Sequence, residues 1–309
     1  MSKSPRILVA PLNWGLGHAT RCVPIIQALQ KQGAEVLIGS DGEALRLLQL
    51  EFPDLETIEL PSYNIQYRYA NMFLNIAPQI SKLLRVVQLE RHFLDGIIQS
   101  HKIDALISDN RYGLSSPKIY SIFITHQLNI KIPNPLLKPF VNRINHHLIK
   151  KFDTCWVPDF ESYPGLSGEL GHLINNRTSN KLKNIQYIGP LSRLETPILD
   201  VLPKTYDIVA ILSGPEPQRT YFEEKILAQL ITLPLRSLLV QGNPNKLESI
   251  DYHKNVAVKP FLNAAQIAWH LSSAGLVIAR SGYSTLMDMA KIGSQPALLV
   301  PTPGQTEQE

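Results

Sequence analysis

A histidine follows two glycines in the stretch Asn13-Trp14-Gly15-Leu16-Gly17-His18-Ala19-Thr20-Arg21. Imidazole titrates near neutral pH, so His18 could accept or donate a proton in catalysis. Gly15 and Gly17 permit a tight turn and the close approach of a ligand to the backbone. The spacing is not the dinucleotide-binding fingerprint, because Thr20 stands where its third glycine would be. Alone, the stretch fits a nucleotide or sugar site as well as a plain turn in which His18 bonds to backbone.

A second glycine-containing stretch, Arg280-Ser281-Gly282-Tyr283-Ser284-Thr285, offers small side chains, hydroxyl groups and backbone N–H groups at a predicted helix start. Such a helix N-terminus suits a diphosphate. Asp288, further along the same helix, could accept hydrogen bonds from ribose hydroxyls. It could equally be an acid that complements the helix dipole.

Polar clusters also follow two predicted strands, 103–108 and 119–124. The first cluster contains Asp109, and the second contains His126. Each cluster alone is ordinary, because caps and turns use the same residue types. If the strands belong to one parallel sheet, both clusters and the turn before His18 could converge at its carboxyl edge, where ligands bind.

The elements that must position these residues alternate between buried strands and amphipathic helices, which predicts parallel, doubly wound α/β sheets. We expect two Rossmann-like domains facing a cleft, at 1–192 and 206–309, joined by a proline-containing linker at 193–205. The second domain stops in a loop after a strand, so we expect that it is truncated or unusually short. The Tyr- and Asn-rich segment 63–73 is either an irregular segment over the crevice or a surface loop.

The composition argues against several classes of protein. The 309 residues are 44% hydrophobic and carry a net charge of +4, without a long basic run, so nucleic-acid binding is not expected. The two cysteines match no metal spacing, and no apolar stretch is long enough to span a bilayer. We expect a cytoplasmic protein. A basic helix at 136–151 leaves open a peripheral contact with the inner face of the membrane.

Together these stretches resemble the MurG-like glycosyltransferases of family 28, which have the GT-B architecture. The resemblance extends over nearly the whole chain, and the Arg-Ser-Gly stretch is its most specific part. The segments that carry it are Gly15–His18, Thr125–Asn129, Ile188–Pro190, Ser213-Gly214, Arg280–Asp288 and Pro301–Glu309.

The resemblance implies an enzyme that binds a UDP-sugar mainly on its C-terminal domain, with the diphosphate after Arg280 and the ribose at Asp288. Gln308 and Glu309 match the pair that contacts the donor sugar, although the second member is usually Gln. The first glycine turn would face the acceptor. Transfer in the family is typically inverting and needs neither metal nor cofactor.

The implied reaction needs a base, for which His18 is the candidate, while Asp109 or His126 orients it or the acceptor. The helix after Arg280 would stabilise the leaving UDP, and Arg280 would do so as well if it faces the cleft. The full expected donor site is Gly15, Gly17, Ser213, Gly214, Arg280, Ser281, Gly282, Ser284, Thr285, Asp288, Gln308 and Glu309.

The first turn departs from the Gly-Gly-His form of the peptidoglycan enzyme and is also similar to related UDP-sugar hydrolases. Three hypotheses therefore remain: a glycosyltransferase with an unidentified acceptor, a nucleotide-sugar hydrolase, and a non-catalytic nucleotide-sugar or glycan binder.

Overall fold

The protein folds as two compact α/β units, residues 1–191 and 192–309, each built on a largely parallel sheet. The structure is a computed structural model. The described residues are 4–64, 77–132, 134–173, 182, 184–195, 205–214, 216–243, 250–293, 295–303, 305 and 308. The expected class of two Rossmann-like α/β domains is confirmed. The predicted linker lies mostly outside the described residues, as does most of segment 63–73, so both stay predictions.

In the described part of the first unit, seven parallel strands lie in the order β3-β2-β1-β4-β5-β6-β7. The strands are β1 Arg6–Pro11, β2 Glu35–Ser40, β3 Thr57–Glu59, β4 Ala105–Asp109, β5 Tyr120–Ile124, β6 Thr154–Val157 and β7 Ile185–Tyr187. The helices described there are α1 Gly17–Lys31, α2 Gly42–Glu51, α3 Ile80–His101 and α4 Lys138–Ile149, with 3₁₀ turns at Ala77–Gln79 and Gly168–Leu170.

Helices cover both faces of this first sheet. Successive side chains of a strand point to opposite faces, and β1 is buried on both. Val9 packs in one apolar cluster with Ile26 of α1, whereas Leu8 packs in another with Leu94 of α3. Such two-sided burial explains why the strand reads as a nearly continuous apolar run.

The described residues of the second unit form six strands in the order β10-β11-β9-β8-β12-β13. They are β8 Ile208–Ile211, β9 Ser237–Val240, β10 Asp251–His253, β11 Val256–Lys259, β12 Leu276–Arg280 and β13 Ala297–Val300. The helices described there are α5 Gln218–Leu230, α6 Ala264–Ser273 and α7 Tyr283–Ile292. Val209 packs with Leu271 of α6, and Ala210 packs with Phe222 of α5.

The strand order creates a topological switch point in each sheet. In the first unit, the chain builds outwards from β1 to β3 and then returns to place β4 against the other side of β1. In the second, β9 and β12 flank β8 in the same way. Loops leaving such neighbouring strands diverge and open a crevice in which ligands bind.

Local structure differs from the sequence prediction in three places. The apolar periodicity predicts that the first helix begins at Cys22, but α1 begins at Gly17, which places His18 in its first turn. Strand β10, antiparallel to β11, was not predicted, because its three residues are exposed and lack an apolar pattern. The sequence offers Ser40 or Asp41 as the cap of α2 and Asn263 as the cap of α6. Asp41 precedes α2 but makes no side-chain capping bond, whereas Asn263 does cap α6.

Candidate active site

The first candidate site lies at the switch point between β1 and β4, where His18 meets Asp109. His18 lies in the first turn of α1, and Asp109 is the last residue of β4, in register with Pro11 of β1. The Nδ1 atom of His18 is 2.9 Å from Oδ1 of Asp109. The carboxylate is fully buried, while 15% of the histidine side chain is exposed. A partly exposed histidine is thus held against a buried carboxylate.

Arg21, one helical turn beyond His18, links the polar groups of this site. Its Nε and Nη2 atoms donate to the two carboxylate oxygens of Asp109, and its Nη1 atom lies 3.2 Å from Nδ1 of His126. The structure thus brings together the three predicted catalytic candidates, His18, Asp109 and His126. Arg21 itself was part of the quoted first stretch, but no role was predicted for it.

The electrostatics of the cluster favour an ionised Asp109 beside neutral histidines. Burial alone would raise the pKa of Asp109, but the Arg21 cation and the hydrogen bonds from Arg21 and His18 hold it well below its usual range. Burial lowers the pKa of His18, and the neighbouring Arg21 adds to this, while Asp109 opposes it. Burial and Arg21 also hold the pKa of His126 well below its usual value.

These charges decide which nitrogen of His18 carries the proton. An ionised carboxylate can only accept, so its contact with Nδ1 requires Nδ1–H. Arg21 Nη2 is also 2.9 Å from Nδ1, but its hydrogens have the Asp109 carboxylate as the stronger acceptor. His18 is therefore the Nδ1–H tautomer with a lone pair on Nε2, the arrangement of a general base.

Side-chain contacts within the first unit hold the glycine turn before His18 in place. Gly15 is exposed and adopts a positive φ of 76°, while Gly17 begins α1. The Asn13 amide donates to Asp41, whose carboxylate pairs at 2.8 Å with the fully buried Arg111. The turn therefore rests on a buried ion pair that was not predicted, although Arg111 belongs to the cluster noted after β4.

The second candidate site surrounds the start of α7, at the switch point between β8 and β12. Gly282 is the N-cap of α7, and the helix has no side-chain cap bond and no acid in its first turn among the described residues. Ser281, Ser284 and Thr285 are partly accessible around it. The N–H groups and dipole of this helix start are suited to bind an anion.

The side chain of Arg280, the last residue of β12, is buried and contacts other residues of unit 2. Only 5% of the residue is exposed, and its guanidinium donates to the carbonyl oxygens of Pro301 and Gln218. It also stacks 4.0 Å from the ring centroid of Phe222. These contacts tie the turn after β12 to the segment after β13 and to α5.

Gln308 lies beside the same turn. Its backbone carbonyl accepts from the Ser281 hydroxyl at 3.0 Å, and its side-chain oxygen accepts from the backbone N–H of Thr302 at 2.9 Å. Its amide nitrogen donates to Gln305. The structure thus places Gln308 next to the start of α7, whereas Glu309 lies outside the described residues.

Asp288, on the second turn of α7, is held by the hydroxyl of Ser192 at 2.5 Å. Burial raises the pKa of Asp288 to about 6, while Ser192 and Arg193 oppose this shift. One carboxylate oxygen accepts from Ser192, so a ribose hydroxyl would share this oxygen or use the other.

The start of α5 differs from that of α7. Ser213 and Gly214 are exposed after β8, and Gly214 has a positive φ of 109°. Glu216, just beyond them, accepts from the backbone N–H and the hydroxyl of Thr220 and pairs with Arg219. Burial would raise the pKa of Glu216, but these hydrogen bonds lower it, so a carboxylate from the chain already occupies this helix start.

Comparisons with known proteins identify the C-terminal part of the chain. Residues 222–309 match the model described as glycosyltransferase family 28 C-terminal domain. An uncharacterized glycosyltransferase of Methanosarcina acetivorans is 24% identical over 98% of this chain and 81% of its own. The chain is a glycosyltransferase with a family 28 C-terminal domain. The expected resemblance to family 28 and the expected enzyme class are thereby confirmed.

Solved structures confirm the GT-B fold of the glycosyltransferase. MurG of Acinetobacter baumannii is similar with a TM-score of 0.54 and 16% identity, over 99% of this chain and 81% of its own. UGT89C1 of Arabidopsis thaliana, complexed with UDP-L-rhamnose, has a TM-score of 0.60 and 16% identity, over 97% and 80%. At such identities the likeness shows the fold alone. Within the described part of the glycosyltransferase, no helix is long and apolar enough to cross a membrane.

Proposed function

We propose that the glycosyltransferase moves a hexose-type sugar from a UDP-sugar to an acceptor hydroxyl, with inversion at the anomeric carbon. The observation that carries this proposal is the 2.9 Å contact between His18 Nδ1 and Asp109 Oδ1. It leaves the lone pair of His18 Nε2 to take the hydroxyl proton as the oxygen attacks. A single displacement of this kind inverts the anomeric centre.

Asp109 acts on His18 rather than on the substrate in this proposal. When His18 accepts the proton, its ring becomes an imidazolium cation, and the ionised carboxylate stabilises that charge. The burial of Asp109 strengthens the effect, because water screens the interaction less. Unit 1 then supplies the base and the acceptor-binding surface, including Gly15 and Gly17.

Unit 2 binds the donor in this proposal, with the diphosphate at the start of α7. Ser281, Gly282, Ser284 and Thr285 surround the helix N-terminus, whose dipole stabilises the charge that develops on the leaving UDP. We propose that this helix start replaces a metal ion in neutralising the diphosphate. The occupied start of α5 supports the choice of α7, because an anion there would meet the Glu216 carboxylate.

The remaining donor contacts follow the family resemblance. Asp288 would accept from the ribose, and Gln308 and Glu309 would contact the sugar. Ser213 and Gly214 would reach the donor from the turn before α5, while Arg280 supports the diphosphate turn through its backbone contacts. The UDP-L-rhamnose complex of UGT89C1, on the same fold, supports UDP as the nucleotide.

Hydrolysis is the second candidate function, because a base that activates an acceptor hydroxyl can activate water equally well. The Gly-Leu-Gly-His-Ala-Thr-Arg form of the first turn favours it over a non-catalytic binder. In a hydrolase, the water proton would move to His18 Nε2, the new bond would join water oxygen to the anomeric carbon, and UDP would leave.

Product analysis distinguishes these functions. The full chain is incubated with UDP-N-acetylglucosamine or UDP-glucose, with and without a panel of glycan, lipid and small-molecule acceptors, and UDP and free sugar are measured. Transfer predicts that UDP release requires an acceptor and yields a glycosylated product. Free sugar in equal amount to UDP without acceptor establishes the hydrolase. Donor binding without UDP release under any condition contradicts both and leaves the binder.

A peripheral membrane contact is proposed for the first unit, at an apolar-basic face formed by α4 and the residues beside it. Residues 131–151 contain five Lys or Arg and no Asp or Glu. Leu136, Phe140 and Ile144 expose 87, 63 and 43% of their surfaces. Arg91 of α3 contributes to lowering the pKa of Lys151, after burial, so α3 adds to the same positive region.

Apolar side chains among cations and without acids are suited to the headgroup region of an anionic bilayer. The test is co-sedimentation with vesicles that contain or lack anionic lipid. We expect binding only to the anionic vesicles and its loss in Phe140→Ser. Equal recovery with both vesicle types, or none with either, contradicts a membrane contact and leaves the transfer proposal untouched.

A further inference from the structure

We propose that Arg21 is the positioning residue that sets the protons of the candidate site, by fixing His18 and His126 in opposite tautomers around one carboxylate. His18 then presents a lone pair at Nε2, and His126 presents an N–H group at Nε2. The catalytic meaning of this arrangement rests on the proposed function, whereas the arrangement itself rests on the contacts of Arg21 and Asp109 with the two rings.

The position of Arg21 is fixed by Asp109. Only 3% of Arg21 is exposed, and two of its nitrogens donate to the two oxygens of a carboxylate that is fully buried. A two-pronged pair of this kind fixes the plane of the guanidinium as well as its distance. Nη1 is thereby directed away from the carboxylate, and it lies 3.2 Å from Nδ1 of His126.

The tautomer of His126 follows from the chemistry of arginine. A guanidinium has only donors, so His126 Nδ1 must be the acceptor in this contact. Burial and the Arg21 cation lower the pKa of His126 well below its usual value, so the ring is neutral. A neutral ring that accepts at Nδ1 carries its one proton at Nε2.

His18 is held in the other tautomer by the same pair. Its Nδ1 faces an oxygen of Asp109, which is ionised because the Arg21 cation stabilises its charge. Arg21 Nη2 is also 2.9 Å from this Nδ1, but Nη2 donates to the carboxylate, and the carboxylate can only accept, so Nδ1 carries the proton. Another titratable group beside the carboxylate is Cys22, whose thiol lies 3.8 Å from Oδ2 and whose pKa burial raises. The cluster at rest therefore contains one cation, one anion and two neutral rings.

Because their tautomers are opposite, the two histidines have different roles in the proposed reaction. In transfer, the acceptor proton moves to His18 Nε2 while the acceptor oxygen bonds to the anomeric carbon and the bond to the diphosphate oxygen breaks. His126 keeps its proton and can hydrogen-bond to an oxygen of the acceptor. In this scheme His126 is a donor and not a second base.

The direct test is the protonation state of each ring in the wild-type protein, read by long-range ¹H–¹⁵N correlation on ¹⁵N-histidine-labelled full chain. Signals are assigned by their loss in His18→Gln and His126→Gln. We expect the unprotonated nitrogen at Nε2 in His18 and at Nδ1 in His126. The same tautomer in both rings, or the reverse pattern, overturns the proposal. Because this measurement needs no turnover, it is independent of the reaction that the protein catalyses.

Variants test the role of Arg21. Arg21→Gln removes the cation, so the pKa of His18 should rise and the acidic limb of the kcat–pH profile should move to higher pH, with KM for the UDP-sugar unchanged. His126 should also lose its fixed tautomer. Arg6→Gln is the matched control, because Arg6 also contacts two carboxylates, Glu35 and Glu56, but lies at the start of β1, at the other end of the strand from the site.

A profile of Arg21→Gln that matches the wild type overturns the positioning role. If Arg21→Gln does not fold, Arg21→Lys keeps the charge but loses the two-pronged geometry, and its tautomers are read by the same correlation. Should His18→Ala retain full transfer, the proposed base is wrong, yet the tautomers measured in the wild type still decide the inference.

Discussion

Glu90 Oε1 and Arg111 Nε lie 2.7 Å apart although neither side chain is exposed. The second oxygen of Glu90 accepts from the Tyr63 hydroxyl and from the backbone N–H of Gly113. Arg111 also pairs with Asp41, which holds the Asn13 amide. Residues from five separate parts of the first unit thus share one buried polar network behind the glycine turn.

Loss of Arg111 should therefore destabilise the protein strongly. Arg111→Met leaves two buried carboxylates without their cation, which typically costs about 3–5 kcal/mol. The free energy of unfolding is measured by urea denaturation. The matched control is Lys118→Met, which removes a cation 2.9 Å from Asp95, with both partners about half exposed. That surface pair is expected to contribute about 0–1 kcal/mol. Equal effects of the two variants would contradict the proposed importance of burial.

Removal of the imidazole at position 18 should abolish most of the activity and little of the donor binding. General base catalysis contributes about 10²–10⁴-fold, so His18→Ala should reduce kcat by that factor. UDP-sugar affinity, measured by calorimetry, should stay unchanged, since the proposed donor site is in unit 2. His253→Ala, at an exposed histidine of β10, is the control. Undiminished turnover of His18→Ala rules out His18 as the base.

Donor affinity should depend on pH through Asp288. Its pKa is raised to about 6, and protonation places a donor hydrogen on one of its two acceptor oxygens. Affinity for UDP-glucose should therefore weaken as the pH falls through 6, by about tenfold one unit below the pKa. Asp288→Asn should remove this dependence, whereas Asp251→Asn, on exposed β10, should keep it. Calorimetric titrations between pH 5 and 7 measure both. An unchanged slope in Asp288→Asn assigns the dependence to another group.

Two glycines of positive φ should respond differently to alanine. A Cβ on Gly15 meets no atom within 4 Å, so Gly15→Ala should cost only the strain of its backbone, about 1 kcal/mol. A Cβ on Gly42 would overlap the Asn13 amide, so Gly42→Ala should cost more and also disturb the turn before His18. Thermal unfolding and kcat are compared for the two. Equal losses would show that the contact with Asn13 has no influence on the turn.

The sequence was informative where local patterns determine structure. Apolar strands and periodic helices predicted both α/β units. Because the carboxyl ends of parallel strands lie at one edge of a sheet, the sequence also predicted that Asp109 and His126 could lie near His18. The start of α1 was placed too late because His18, Thr20 and Arg21 interrupt its apolar pattern. Arg21 is in fact buried, and its polar atoms are satisfied by residues far along the chain.

What sequence reasoning missed are pairings between distant positions. Nothing local to Arg21 indicates that its partner is Asp109, and a buried arginine at 111 reads like any polar residue after a strand. The sequence also did not show that the start of α5 binds a carboxylate of the chain itself. Ser213-Gly214 resembled an anion-binding turn until the structure showed Glu216 folded back onto Thr220. Whether a helix start can bind a ligand anion therefore depends on whether a carboxylate of the chain already binds there.

The switch points have one further consequence for how such a protein can change. The core is built from apolar residues of the strands and of the helices that cover them, whereas His18, Ser281 and Gly282 lie just beyond strand ends. A new acceptor or donor can therefore be accommodated by altering a few residues after β1 or β12. Changes of specificity can thus arise at residues beyond the strand ends, whereas the buried Arg21 and Asp109 contribute to both the site and the fold.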